Sequence, residues 1–256
     1  MPQYTLITRA EFADKKWQRP TGFAQTRRDT LAPLVAQELP KAALVEPIGF
    51  TMHQDSILPV ALQGLTPGQN LLVTPEGKWR VNYIPAIYRG YPFALTQDKD
   101  GRHHLCIDVD SGLIGDSNGE PLFDEQGQPT ESVRQILDFL QKVQQNRQLT
   151  EQICRLLQQH DLIEPWPITL ATAEGDKPVQ GLYRIREQNL NQLDDTAFLA
   201  LRQAGALPLI YCQLLSMQHL EKLKQLAVRH AKQNQQPAVP DIEQLFGDTN
   251  TDMFKF

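Results

Sequence analysis

The chain has 256 residues, enough to bury a sizeable core as one large domain or two small ones. Its 41% hydrophobic and 21% charged residues describe an ordinary globular protein, and a net charge of −5 removes any general attraction to nucleic acid or anionic membrane. No stretch approaches the ~20 consecutive apolar residues of a membrane span, and the opening "MPQYTLITRAEFADKK" lacks the basic and apolar segments of a secretory signal. A soluble, cytoplasmic protein is therefore expected. Cys106, Cys154 and Cys212 are odd in number and widely spaced, which fits neither a disulfide framework nor a zinc site.

The first half is rich in proline and glycine, with short apolar runs such as "ALVEPIGF" and "LPVALQGL" that read as strands between turns. Asn70 to Val73, the "TPEG" turn and Trp79 to Ile84 predict a hairpin. Trp79, Val81 and Tyr83 there alternate with Arg80 and Asn82, so one face should be covered. "YIPAIYRGYPFAL" follows, from Tyr83 to Leu95. Pro85 suits the first turn of a short helix and Pro92 forbids its continuation, placing Ile84, Ile87, Tyr88 and Tyr91 on one apolar face and Arg89 on another side. The segment reads either as a packed corner or as a pocket in which Arg89 binds a carboxylate or peptide terminus between tyrosine walls.

In "RHHLCIDVDS", alternation puts Leu105, Ile107 and Val109 on one face and His104, Cys106, Asp108 and Asp110 on the other. Imidazole, thiol and carboxylate on one face could bind a metal or form a nucleophile pair. Neighbours on that face stand about 7 Å apart, however, so one strand supplies at most part of a site. A half-exposed strand with a polar face is the expectation. An Arg89–Asp108 ion pair is expected to hold the corner against it. "DVDSGLIGDSNGE" fails as a calcium loop, with Leu113 and Gly119 where glycine and glutamate are required.

Beyond "LFDEQGQPT" the period becomes helical: Val133, Ile136, Leu137, Leu140 and Val143, resumed by Ile153, Leu156 and Leu157. One long helix, with Thr130 as N-cap and a polar gap near Asn146, is predicted up to the "EPWP" stop at Glu164. A second hairpin turns around Glu174 to Asp176. Asp194 or Asp195 caps a short helix ending before Gly205, and a last helix runs from about Gln213 to Lys232. Gln233 to about Val239 reads as a mobile polar linker. The acidic "PDIEQLFGDTNTDMFKF", with Ile242, Leu245, Phe246, Phe254 and Phe256 as apolar anchors, reads as a segment that orders only against a protein partner or another copy. The expected architecture is α+β: short strands and hairpins mainly in the N-terminal half, one long central helix and C-terminal helices, forming a single domain over 1–232 with a linker and acidic tail over 233–256.

"GQNLLV", "GKW", "YIPAIYRGYPFAL", "LCIDVDS", "LFDEQGQPT", "LYRIREQNLNQL" and "GALPLIYCQLLSMQHL" resemble, in order and spacing, the SapC family of bacterial proteins, from roughly Leu31 to Leu223. The family takes its name from a surface-layer protein locus. Many members occur near TonB-dependent receptors and flavin-dependent tryptophan-halogenase-like proteins. The resemblance implies a non-catalytic accessory protein that binds a partner in a receptor-linked uptake or halogenase-like pathway, and it carries over no catalytic residue, cofactor or metal. Two other readings stand beside it: an enzyme with a pocket built from the Tyr83–Phe93 corner and the Cys106–Asp108 strand, and a surface-layer or secretion component. The candidate ligand-binding residues are Tyr83, Tyr88, Arg89, Tyr91, Cys106 and Asp108. No nucleic acid is expected as a partner, and a homo-oligomer is open.

Overall fold

The computed structural model describes residues 3–53, 56–172 and 175–235. Its main layer is a five-stranded antiparallel sheet in the order Ile163–Pro165, Leu182–Ile185, Ile48–His53, Ser56–Leu62, Leu31–Pro33. The two central strands are the apolar runs seen in the sequence, paired with Phe50 opposite Pro59. Pro59 lacks an N–H to donate, and its carbonyl accepts from the Leu34 N–H at 2.9 Å, so the ladder loses only a donor.

A second antiparallel sheet, Tyr4–Leu6, His103–Asp108 and Phe93–Gln97, stands apart from the first. Beside it Lys16–Trp17 pairs with Ile114–Gly115 on one edge and Glu120–Pro121 on the other. The hairpin expected near residue 174 is present as Ile168–Thr172 against Gly175–Val179, its tip lying outside the described residues.

The long helix is continuous over Glu131–Gln159, 29 residues and therefore roughly 43 Å. Thr130 is at the N-cap position, but its hydroxyl donates to the Pro121 carbonyl at 2.9 Å instead of closing the first turn. The two halves of the helix serve two cores. Val133, with Ile136 and Leu140, joins Phe12, Trp17, Phe93, Ile107 and Leu122 over the smaller sheet. Ile153, Cys154 and Leu157 join Leu39, Ile48, Phe50 and Ile57 over the larger one.

Between them, the polar gap has a purpose. Asn146 and Thr150 face inward and are buried. Asn146 Oδ1 accepts from the Gln37 N–H at 3.0 Å and Thr150 Oγ1 from the Ala36 N–H at 2.8 Å. These side chains satisfy the otherwise orphaned donors at the start of the short turn Ala36–Glu38 and fix that turn on the helix.

The C-terminal third is helical: Asp195–Gln203, Ala206–Ser216 and Leu220–Gln235. Asp194 Oδ1 caps the first by accepting from the Ala197 N–H at 2.8 Å, as expected. The last helix differs from expectation. It starts at Leu220, because the tighter turn Met217–His219 separates it from the helix that carries Gln213. That break lets Gln213 and Ser216 face the sheet. Gln213 accepts from the Ile185 N–H at 3.0 Å and donates to the Ile48 carbonyl at 3.1 Å, and Ser216 Oγ accepts from the Ile48 N–H at 2.9 Å. The helix continues to Gln235, so the first residues of the expected linker are helical. The rest of that linker and the acidic segment lie outside the described residues. No described helix is long and apolar enough to cross a membrane.

The predicted hairpin over Asn70–Ile84 reduces to one bridge, Val73 to Trp79, around the Thr74–Gly77 turn. The Trp79 indole N–H donates to the Tyr83 carbonyl at 2.6 Å and coils the following residues where a strand would be straight. The alternation survives in exposure: Trp79, Val81 and Tyr83 are half-buried while Arg80 and Asn82 are exposed.

Candidate functional site

The corner folds as its prolines dictate. Pro85 precedes the one-turn helix Ala86–Arg89, and a cis Tyr91–Pro92 peptide leads into the strand that starts at Phe93. Gly90 sits where a Cβ would fall 2.7 Å from Leu140 Cδ2, so any larger residue would have to displace that leucine's methyl group from the long helix's contact with the corner. The expected apolar face is only partly realised. Ala86 and Tyr88 are buried, whereas Ile87 is exposed, because the helix is a single turn and its outer side meets solvent.

Glu38 organises this corner. Its side chain is 5% exposed, and the turn that carries it is the one fixed by Asn146 and Thr150. Oε2 accepts from the Val35 N–H at 3.1 Å, closing Glu38's own turn. Oε1 accepts from the Tyr83 hydroxyl at 2.5 Å and the Ala86 N–H at 2.6 Å, closing the start of the corner helix, and Arg89 Nη2 stands 3.7 Å away. Burial, and then the bond to Glu38, push the Tyr83 hydroxyl well above its ordinary pKa, so it remains a donor at neutral pH.

Arg89 and Tyr83 face a cavity of about 240 Å³ between the corner and the long helix. Lys41 and Lys142 flank it, and Phe139 supplies a second aromatic wall. The Arg89 guanidinium lies 5.0 Å from the Phe139 ring centre and 6.0 Å from that of Tyr83, a stacking geometry that orients it. Three cations thus share the cavity with one carboxylate whose oxygens are already engaged by three donors, the amides of Val35 and Ala86 and the Tyr83 hydroxyl. The surplus is positive and the walls are aromatic, which suits an acidic group attached to an apolar body.

The other predicted residues are drawn elsewhere. Tyr88 points inward, its hydroxyl donating to Gln63 Oε1 at 2.9 Å and its ring 5.6 Å from that of Trp79. Tyr91 turns to the smaller sheet and donates to Asp108 Oδ2 at 3.1 Å; burial first and Asp108 second push its hydroxyl up to about 12. Asp108 also accepts from the Gln3 N–H at 3.1 Å and the Asp110 N–H at 3.2 Å. The expected Arg89–Asp108 pair is therefore replaced by two pairs, Arg89 with Glu38 and Tyr91 with Asp108. Register is the reason: Phe93 opposite Ile107 lays Pro92 beside Asp108, whose N–H donates to the Pro92 carbonyl at 2.9 Å. Arg89, a turn earlier, faces the long helix.

Cys106 and Asp108 are buried, so the strand's polar face is not half-exposed as expected, and the strand ends before Val109, which is exposed. Cys106 Sγ lies 3.1 Å from Thr96 Oγ1, while His104 Nε2 pairs with Asp98 Oδ2 at 2.7 Å. Thiol and imidazole each have their own neighbour, and Arg89 serves another cavity. Among the described residues no group of three or more His, Cys, Asp or Glu side chains could hold a metal ion.

A corner packed on one long helix, a short edge strand and a helical C-terminal third now stand in the order that the sequence motifs suggested. The family model SapC matches residues 7–223. The chain belongs to the SapC family. The match reaches back past Leu31 to Ile7, just after the edge strand Tyr4–Leu6, and it contains every residue of the cavity between the corner and the long helix. Searches of curated proteins and of solved structures return no match.

One residue within the SapC span escapes sequence reasoning. Glu46 is fully buried, and neither carboxylate oxygen has a hydrogen-bond partner among the described residues. Burial first, and the charge of Glu38 second, push its carboxyl up to about 8, so it is protonated at neutral pH. It borders a cavity of about 110 Å³ that Arg80, His219 and Lys222 also line. The one available signal is its position in "LVEPIGF", a lone acid within an apolar run that leads into a central strand.

Proposed function

We propose that this chain is a non-catalytic accessory protein that recognises an acidic group of a protein partner in the cavity between the corner and the long helix. The observation that carries this reading is the division of labour between Glu38 and Arg89. Glu38 is saturated by internal donors and holds the walls, while Arg89, 44% exposed and stacked against Phe139, turns its remaining donors to the cavity beside Lys41 and Lys142. Such a fork takes a carboxylate bidentately, and Tyr83 and Phe139 cover the apolar atoms next to it. A peptide C-terminus or an acidic side chain beside an apolar one fits this description.

The family's association with receptor-linked uptake and halogenase-like pathways supports a cytoplasmic partner from such a pathway. Co-purification of tagged wild type and Arg89→Ala from the native cell tests the proposal. The partner should be retained by wild type and lost by the variant, with the melting temperature unchanged, because Arg89 is 44% exposed, stands 3.7 Å from Glu38, and leaves that carboxylate with its three hydrogen-bond donors when removed. A partner retained equally by both proteins overturns it.

A further inference from the structure

A second, larger concavity lies along the last helix, away from the Arg89 cavity. It measures about 640 Å³ between the loop of residues 66–75 and the helix Leu220–Gln235. Arg27, Arg80, Arg229 and His230 line it over an apolar floor that includes Leu71 and Leu226, and no carboxylate is among its lining residues. The same helix carries Lys222, Lys224 and Lys232 against a single acid, Glu221, but these lysines line neighbouring concavities, Lys222 one and Lys224 with Lys232 another that also holds Asp176. The groove itself is a basic surface on a chain whose net charge is −5.

The sequence beyond that helix is the complement. From Pro240 to Phe256 it carries Asp241, Glu243, Asp248 and Asp252 against Lys255 alone, interleaved with Ile242, Leu245, Phe246, Met253, Phe254 and Phe256. We propose that residues 240–256 dock in this groove of the same molecule, with carboxylates against the arginines and apolar side chains on the floor.

Reach allows it. The helix passes only ~9 Å beyond Arg229 before Gln235, at 1.5 Å per residue. The next five residues span up to ~17 Å when extended, enough to turn back. So short a tether holds the segment at an effective concentration on the order of millimolar, which favours the groove of its own chain over that of a second copy. Arg80 and Arg229 are exposed, so charge can be reversed there without disturbing the core. The proposal does not depend on the role given to Arg89.

Amide exchange and heteronuclear NOE on the ¹⁵N-labelled full chain test it. Amides within 241–247 should exchange about tenfold more slowly than an unstructured chain, at a level independent of protein concentration. Arg80→Glu with Arg229→Glu should abolish this protection while leaving the rest of the spectrum in place. Adding Asp241→Arg and Glu243→Arg to that variant should restore it. Absence of protection in the wild type, protection indifferent to the reversals, or protection that grows with protein concentration would each overturn the proposal, the last by assigning the groove to a second copy.

Discussion

Glu38 and Glu46 belong to one short segment and are both buried, yet their surroundings are opposite. Glu38 has donors on both oxygens, from two backbone amides and a tyrosine, with a guanidinium near by. Glu46 has none among the described residues, and it also feels the charge of Glu38. A carboxylate with several donors can stay ionised inside a protein and fasten separate parts of the chain. One without donors keeps its proton and costs stability as soon as it must lose it. The contrast separates a residue that builds the site from one that limits the conditions under which the molecule stays folded.

The largest effect that sharpens the contrast is pH dependence. The ordinary value for the Glu46 carboxyl is 4.5 and burial raises it to about 8. Between these values the folded chain keeps a proton that the unfolded chain has released. Stability is therefore greatest at the acidic end of this window, is lost as pH rises, and levels off above pH 8. The loss should total on the order of 5 kcal/mol, at ~1.4 kcal/mol per pH unit. Urea denaturation at a series of pH values should show this slope in the wild type and a nearly flat profile in Glu46→Gln; equal slopes would place the titration elsewhere.

Next in size, Glu38→Ala should cost about 3 kcal/mol or more at pH 7, because the N–H groups of Val35 and Ala86 and the Tyr83 hydroxyl all lose their acceptor. A loss below about 1 kcal/mol in the same denaturation experiment would show that water replaces the carboxylate and that Glu38 is no hub. Smallest, Tyr83→Phe should cost about 1 kcal/mol, since it deletes one of those bonds and keeps the ring against Arg89.

Legibility followed the range of the forces involved. The long helix was readable from the spacing of Val133, Ile136, Leu140, Ile153 and Leu157, because helical periodicity is local. The corner was readable from Pro85 and Pro92 for the same reason. Which carboxylate meets Arg89 was not, because that depends on the register of Phe93 against Ile107 and on a turn anchored to the helix by Asn146 and Thr150. Sequence reasoning took the Asn146 region for a gap, when its polarity is what binds the Ala36–Glu38 turn. Glu38 itself was hidden in "AQELPKAAL", where a glutamate next to alanines and a lysine looks like surface. The signature available was a glutamate three residues after Val35, placed to reach back to that residue's amide.

The Gln213 and Ser216 contacts with Ile48 also bear on how the chain comes off the ribosome. The strand Ile48–His53 can form its hairpin with Ser56–Leu62 early, but its other edge waits for Leu182–Ile185, and both Ile48 backbone groups wait for the helix that carries Gln213. At ~5–20 residues per second that interval is on the order of ten seconds, during which a sheet edge backed by Phe50 and Ile48 has no partner. The nascent chain is thus most in need of a chaperone between completion of its first hairpin and arrival of its C-terminal third, and a ribosome stalled in that interval would release the species most prone to aggregate.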